Sequence, residues 1–213
     1  MDKKLMDSIR NVGIIPVVVI DDAKDAKALG KALMEGGLPA AEVTFRTEAA
    51  AEAISILSKE FPDMLVGAGT VLTREQADAA MAAGAKFLVT PGFNHDQVSY
   101  CKEKGYPIIP GTQTPGEMEQ ALEMGFKTVK FFPAEPSGGI KMIKAVAAPY
   151  TDLSFMPTGG INESNVRDYL AYDRIVACGG SWMVSKQLIK EGKFDEIKKL
   201  TENAAAIVKE IRG

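Results

Sequence analysis

A lysine within an apolar stretch is the residue of this sequence whose type and setting point most clearly to chemistry. Lys130 lies in 128–132, a short run of β-branched, aromatic and apolar residues that predicts a buried strand. Side chains alternate along a strand, so Thr128 and Phe132 share the face of Lys130 and the intervening residues take the other. Because a buried lysine cation is costly, Lys130 needs a partner charge, a route to water or the neutral amine form.

These states of Lys130 predict different chemistry. A neutral buried amine can attack a carbonyl carbon and form a Schiff base. A lysine at the mouth of a strand can instead extend to water or bind a phosphate. Buried ionisable groups also occur for structural reasons, so the stretch alone leaves these alternatives open.

A second polar group lies on the predicted strand Ala41–Arg46. Alternation places Glu42, Thr44 and Arg46 on one face of the strand. Three polar residues are a poor composition for a core, so this face indicates either a functional site or an internal Glu42–Arg46 ion pair. Four residues of extended strand span about 13 Å. Arg46 must fold back, or the strand must end early, if both residues are to serve one small site.

Eight strand-like segments alternate with helical patterns along the chain. The predicted strands are 13–20, 41–46, 65–71, 87–90, 107–110, 128–132, 153–157 and 175–178, and the predicted helices are 3–12, 22–36, 48–61, 73–84, 96–104, 115–124, 140–148, 162–172, 184–190 and 194–211. This order predicts an α/β fold with a parallel sheet, in one domain over 1–213. Eight units are the number that closes a (β/α)8 TIM barrel, here with a short N-terminal helix. An open doubly wound sheet is the alternative, since spacing does not prove closure.

Small residues follow several predicted strands, where a TIM barrel carries its chemistry. Gly159-Gly160 follows the seventh strand, and Gly179-Gly180-Ser181 follows the eighth. Backbone N–H groups and a helix N-terminus capped by Asn162 would face an anion there, so the two turns predict a phosphate site. The third strand ends in 67–70, where small residues either let a ligand approach closely or form a tight turn within the barrel packing. The fourth ends in 90–92, for which an ordinary turn is the more direct explanation.

Composition restricts the function further. The net charge is −3, with 25 Lys+Arg against 28 Asp+Glu and no basic patch, which argues against nucleic-acid binding. A single histidine, His95, argues against a His-rich metal site and leaves acid–base work to carboxylates, lysine, tyrosine or water. Cys101 and Cys178 are far apart, no secretory leader is evident and the apolar runs are too short for a bilayer, so we expect a cytoplasmic protein without membrane contact.

Six segments, in order along the chain, resemble the 2-keto-3-deoxy-6-phosphogluconate (KDPG) / 4-hydroxy-2-oxoglutarate (KHG) aldolase family. They are Glu-Val-Thr-Phe-Arg-Thr-Glu at 42–48, Gly-Ala-Gly-Thr-Val-Leu at 67–72, Thr-Pro-Gly at 90–92, Val-Lys-Phe-Phe-Pro-Ala-Glu at 129–135, Pro-Thr-Gly-Gly-Ile at 157–161 and Gly-Gly-Ser-Trp at 179–182. The first and fourth segments together are specific. Phe45, in place of a leucine-like residue, and Thr90, in place of serine, are mild departures.

The resemblance implies a class I pyruvate aldolase with a TIM barrel, which uses neither a metal nor an organic cofactor and forms a homotrimer. It implies Lys130 as the Schiff-base lysine and Glu42 as the general acid and base. The other implied positions are Arg46 and Thr70 for the pyruvate carboxylate, Pro91 and Phe132 as pocket walls, Thr158 beside the hydroxyl of the aldehyde, and Gly159, Gly160 and Ser181 for the phosphate, with Gly179 and Gly180 in the adjoining turn.

Two other functions fit parts of the sequence. A phosphate-binding barrel enzyme of another kind, such as an isomerase or synthase, explains the glycine turns but gives Lys130, Glu42 and Arg46 no shared purpose. A non-catalytic sugar-phosphate-binding barrel leaves the same three residues unexplained.

Overall fold

The computed structural model describes residues 2–213, and parallel strands alternate with helices along this part of the chain. The strands are Ile14–Val18 (β1), Ala40–Thr44 (β2), Leu65–Gly69 (β3), Phe87–Val89 (β4), Ile108–Ile109 (β5), Gly111–Thr112 (β6), Thr128–Phe131 (β7), Ser154–Pro157 (β8) and Cys178–Gly180 (β9). The α-helices are Lys3–Val12 (α1), Ala26–Glu35 (α2), Ala50–Glu60 (α3), Arg74–Ala82 (α4), His95–Glu103 (α5), Pro115–Glu123 (α6), Gly139–Ala147 (α7), Val166–Leu170 (α8), Lys186–Lys190 (α9) and Phe194–Arg212 (α10). Short 3-10 helices occupy Ala23–Asp25 and Glu135–Ser137.

None of the helices within 2–213 combines the length and apolar character needed to cross a bilayer.

The strands form two curled parallel sheets. One has the order β5-β4-β3-β2-β1-β9 and the other β6-β7-β8. Single bridges join Phe155 to Ile175 and Thr158 to Gly179, between the β8 and β9 regions. The predicted α/β class with parallel strands is therefore confirmed. The predicted strand 107–110 contains β5 and is shorter than predicted, because Pro110 has no N–H for the ladder and separates β5 from β6.

Three boundaries differ from prediction in ways that affect the site. β2 ends at Thr44 rather than Arg46, and β9 covers Cys178–Gly180 rather than 175–178. The glycine pair at 179–180 lies in the strand because its backbone pairs with β1, where Ile15 lies opposite Gly179. The prediction that Asn162 caps the next helix is wrong, since α8 begins at Val166 with Asn165 as its N-cap.

Two apolar clusters surround the strands. The larger lies between strands and helices and includes Val43, Val129 and Phe131. The smaller contains alternate strand residues such as Ile15 and Phe87 together with Ile9 of α1. Its buried residues are Ile9, Ile15, Ala40, Leu65, Phe87, Val89, Ile109, Met156, Val176 and Ala177. Because Val129 and Phe131 pack toward the helices, strand alternation directs Lys130 to the opposite side of the sheet.

We expect Ile9→Ala to lower the free energy of unfolding by about 2–5 kcal/mol, since it removes methyl groups from a closed apolar cluster. Ile9 is fully buried and is the α1 residue at the centre of the helix's contact with the smaller cluster, against which Leu5, Met6 and Val12 also pack. Urea unfolding followed by circular dichroism measures the change. The exposed Lys4→Ala on the same helix is the control, and equal stability of the two variants would contradict this account of α1.

Candidate active site

Lys130 and Glu42 form a buried pair between β7 and β2. The Nζ of Lys130 lies 3.3 Å from Oε1 of Glu42. Lys130 is 4% exposed and Glu42 is fully buried. Glu42 thus pairs with Lys130 and not with Arg46, which excludes an internal Glu42–Arg46 ion pair as the reason for the polar face on β2. A single carboxylate in contact with a lysine can accept a proton and, once protonated, can donate it again.

Gly69 makes room for the Glu42 carboxylate. A Cβ atom at Gly69 would lie 2.1 Å from Oε1 of Glu42, a distance that no structure tolerates. The second carboxylate oxygen, Oε2, is buried and has no hydrogen-bond partner within residues 2–213. An unpartnered carboxylate oxygen beside an amine is costly in a purely structural pair, so it favours a chemical role.

A cavity of about 580 Å³ lies beside the pair. Eight of the ten predicted substrate-binding residues line it, namely Arg46, Phe132, Thr158, Gly159, Gly160, Gly179, Gly180 and Ser181. Lys130 and Glu42 are not themselves lining residues, but the Lys130 Nζ is 5.3 Å from the centre of the ring of Phe132, which does line the cavity. The volume falls within the range of sites for small ligands.

Arg46 reaches the cavity because β2 ends two residues before it. Its Nε donates a hydrogen bond of 3.3 Å to Oγ1 of Thr70. Thr70 has a φ of 53°, which places a β-branched residue in the left-handed region. Such backbone strain concentrates at functional sites, and here it accompanies the contact with Arg46.

Pro91 stands apart from the other predicted site residues. It lines a separate cavity of about 340 Å³, together with Leu72 and Phe93. Its backbone packs on Gly111, where a Cβ would lie 2.4 Å from the Pro91 carbonyl carbon. Gly111 in turn is the β6 partner of Lys130, so Pro91 contacts the strand that neighbours the lysine.

The Gly159–Gly160 turn projects into the cavity after β8. Both glycines have positive φ, 102° and 81°, a backbone conformation that L side chains rarely adopt. The side-chain amides of Asn162 and Asn165 donate to the Gly160 carbonyl at 3.2 and 3.0 Å. Because α8 starts at Val166, asparagine side chains rather than a helix N-terminus shape this turn.

Thr158 and β9 meet at the floor of this region. The hydroxyl of Thr158 is buried without a hydrogen-bond partner within 2–213, and a Cβ at Gly179 would lie 2.3 Å from it. Burial raises the pKa of the neighbouring Cys178 thiol to about 12, so this cysteine stays a neutral thiol near pH 7.

Sequence reasoning missed other residues of the lining. Trp182 covers Gly180, and Lys186 stands at the edge, where it forms an ion pair of 2.9 Å with Asp21. The position of Trp182 directly after Ser181 was the available signal. No three His, Cys, Asp or Glu side chains within 2–213 are grouped to hold a metal ion.

The model of the family "KDPG and KHG aldolase" matches residues 5–200. The 2-dehydro-3-deoxy-phosphogluconate aldolase of Haemophilus influenzae is 50% identical over 97% of this chain and 98% of its own. The KHG/KDPG aldolase of Escherichia coli K12 is 41% identical over 95% of both chains.

A KDPG aldolase from Legionella pneumophila is 38% identical, with a TM-score of 0.89, over 93% of this chain and 96% of its own. That structure was solved with pyruvate captured at low pH as a covalent carbinolamine intermediate. This chain belongs to the KDPG and KHG aldolase family. It is accordingly a lyase of the aldolase type.

We expect Gly69→Ala to reduce kcat by at least about 100-fold, the usual contribution of a positioned acid or base, because the new methyl group displaces the Glu42 carboxylate. Gly116→Ala is the control, since a Cβ there meets no atom within 4 Å. Pyruvate release at saturating substrate measures both variants. Normal turnover in Gly69→Ala would show that the position of Glu42 is not critical.

Proposed function

We propose that this protein is a class I aldolase that cleaves 2-dehydro-3-deoxy-6-phosphogluconate to pyruvate and glyceraldehyde 3-phosphate. We propose 4-hydroxy-2-oxoglutarate, which yields pyruvate and glyoxylate, as a second substrate. The observation that carries the proposal is the 3.3 Å contact between Lys130 and Glu42 beside the cavity. The names of the relatives support both substrates.

Lys130 is the proposed nucleophile. Lys130 first gives a proton to Glu42, and the resulting neutral amine attacks the C2 ketone; the nitrogen then loses a proton, and the carbinolamine oxygen takes a proton and leaves as water, which gives an iminium ion. Glu42 supplies and collects these protons from its place beside the amine. The iminium then serves as the electron sink for bond cleavage, the role that a metal ion fills in other aldolases.

Cleavage follows from the same two residues. Glu42, directly or through a water, removes the proton of the C4 hydroxyl, and the electrons of the C3–C4 bond move into the iminium. The products are an aldehyde and an enamine on Lys130. Protonation of the enamine at C3 and hydrolysis of the resulting iminium release pyruvate and regenerate the amine.

The cavity lining supports an assignment of the remaining roles. Arg46, oriented by Thr70, is the proposed partner of the pyruvate carboxylate. The unpartnered hydroxyl of Thr158 is suited to hydrogen-bond the hydroxyl of the aldehyde product. We assign the phosphate to Ser181 and the backbone of the Gly159–Gly160 turn, next to Gly179 and Gly180. Phe132 is a pocket wall, and Pro91 supports the strand beside Lys130.

The assembly and setting are further parts of the proposal. We propose one domain that closes as a (β/α)8 barrel, with β5 and β6 as halves of one strand. Their separation by Pro110 alone and the bridges near β8 and β9 support closure. We further propose a cytoplasmic homotrimer that acts in the Entner–Doudoroff pathway, as the family resemblance implies.

A coupled assay of pyruvate release tests the proposed substrates. We expect turnover of both, with the higher kcat/KM for the phosphorylated sugar acid, since only this substrate has a phosphate for the Gly159–Gly160 turn and Ser181. Activity with neither substrate would contradict the proposed function. Lactate dehydrogenase and NADH report the pyruvate, and a reaction without enzyme is the blank.

Glu42→Gln tests the role of the carboxylate. We expect kcat to fall by about 10²–10⁴-fold, because glutamine has nearly the same shape and cannot exchange the proton. Glu48→Gln, an exposed residue six positions along the chain, is the matched control. Circular dichroism establishes that both variants fold, and full turnover in Glu42→Gln would remove this residue from the mechanism.

A further inference from the structure

Two residues outside the cavity lining form a hydrogen bond behind the Gly159–Gly160 turn. Tyr169 of α8 is 1% exposed, and its hydroxyl donates to Oε1 of Glu135, in the 3-10 helix after β7. Burial, with the hydrogen bond to Glu135, raises the pKa of Tyr169. The phenol therefore keeps its proton and remains a donor to the carboxylate.

Glu135 contacts the turn through both its backbone and its side chain. Its N–H donates to the Gly159 carbonyl at 3.0 Å, and the N–H of Ala134 donates to the Thr158 carbonyl at 2.8 Å. A Cβ at Gly160 would lie 2.6 Å from the Cβ of Glu135. The position of Glu135 therefore determines where the turn lies.

The carboxylate of Glu135 lies beside Gly139 and not beside Gly160. Its Oε1 lies beside Gly139 at the start of α7, where a Cβ would be 2.9 Å from Oε1 and 3.1 Å from the Tyr169 hydroxyl. The Gly160 contact involves Cβ and Cγ of Glu135 instead. Negative charge is favourable at a helix N-terminus, so Tyr169 and α7 together hold this carboxylate in one orientation.

We propose that Tyr169 and Glu135 are positioning residues that set the affinity for the phosphate group of the substrate, and through it the preference for the phosphorylated keto acid over 4-hydroxy-2-oxoglutarate. The inference rests on the proposed function, which assigns the phosphate to the Gly159–Gly160 turn. Loss of the hydrogen bond, in either variant, releases the side-chain link between α8 and the 3-10 helix and frees the turn to shift. The chemistry at Lys130 is unaffected, because neither residue contacts Lys130 or Glu42.

Steady-state kinetics with both substrates test the proposal. We expect Tyr169→Phe and Glu135→Ala to raise KM for the phosphorylated substrate by about 5- to 20-fold, because only part of the energy of the lost hydrogen bond reaches the phosphate through the turn. Its kcat and all constants for 4-hydroxy-2-oxoglutarate should stay within about twofold. Glu135→Gln keeps an acceptor for Tyr169 and should restore KM to within about threefold of wild type.

Tyr150→Phe is the matched control, because Tyr150 also donates to a glutamate, Glu119 at 2.9 Å, but precedes β8 instead of following it.

Trp182, the single tryptophan, covers Gly180 and gives a second readout. Its fluorescence, titrated with inorganic phosphate, should show about 5- to 20-fold weaker binding in Tyr169→Phe and Glu135→Ala. This titration needs no turnover.

Three results would overturn the proposal. They are equal losses with both substrates, an unchanged KM and phosphate affinity in the two variants, or the same change in Tyr150→Phe. Glu135 is exposed, so its alanine and glutamine variants decide the question even if Tyr169→Phe does not fold. An inactive wild-type enzyme would contradict the proposed function instead, and the phosphate titration would still test the positioning role.

Discussion

The ion pair between Lys130 and Glu42 is the interaction on which the site depends. Either group alone would be an uncompensated charge in the interior, which costs several kcal/mol. Together they compensate, provided that β7 and β2 hold them within contact distance and that Gly69 leaves space for the carboxylate. The unpartnered Oε2 of Glu42 shows that the compensation is incomplete, which suits a carboxylate that exchanges protons.

The fold provides this arrangement through strand alternation. Val129 and Phe131 pack toward the helices, and Lys130 between them has to point the other way. The smaller apolar cluster, which includes Ile9 of α1, supplies a rigid support for the same strands. Arg46 lies in the turn that follows β2, whereas Glu42 lies within the strand itself.

The sequence was most informative where a pattern has a single physical meaning. Alternation in 128–132 and the motif at 42–48 predicted Lys130 and Glu42 correctly as inward-facing residues, and the two glycine turns supply five residues of the cavity lining. The end of β2 at Thr44 and the strand assignment of Gly179 could not be predicted, because both depend on pairing between strands distant in sequence. The link between Glu135 and Tyr169 has no sequence signal, since 34 residues separate the pair.

Reductive trapping of a pyruvate adduct tests the central claim most directly. Wild-type protein is treated with sodium borohydride in the presence of pyruvate, digested, and examined by peptide mass spectrometry, with Lys130→Met as the comparison. A stable pyruvate-derived mass on the peptide that contains Lys130, absent in Lys130→Met, is the predicted result. An active enzyme that gives no adduct, or an adduct on another lysine, would contradict the assignment of Lys130 as the nucleophile.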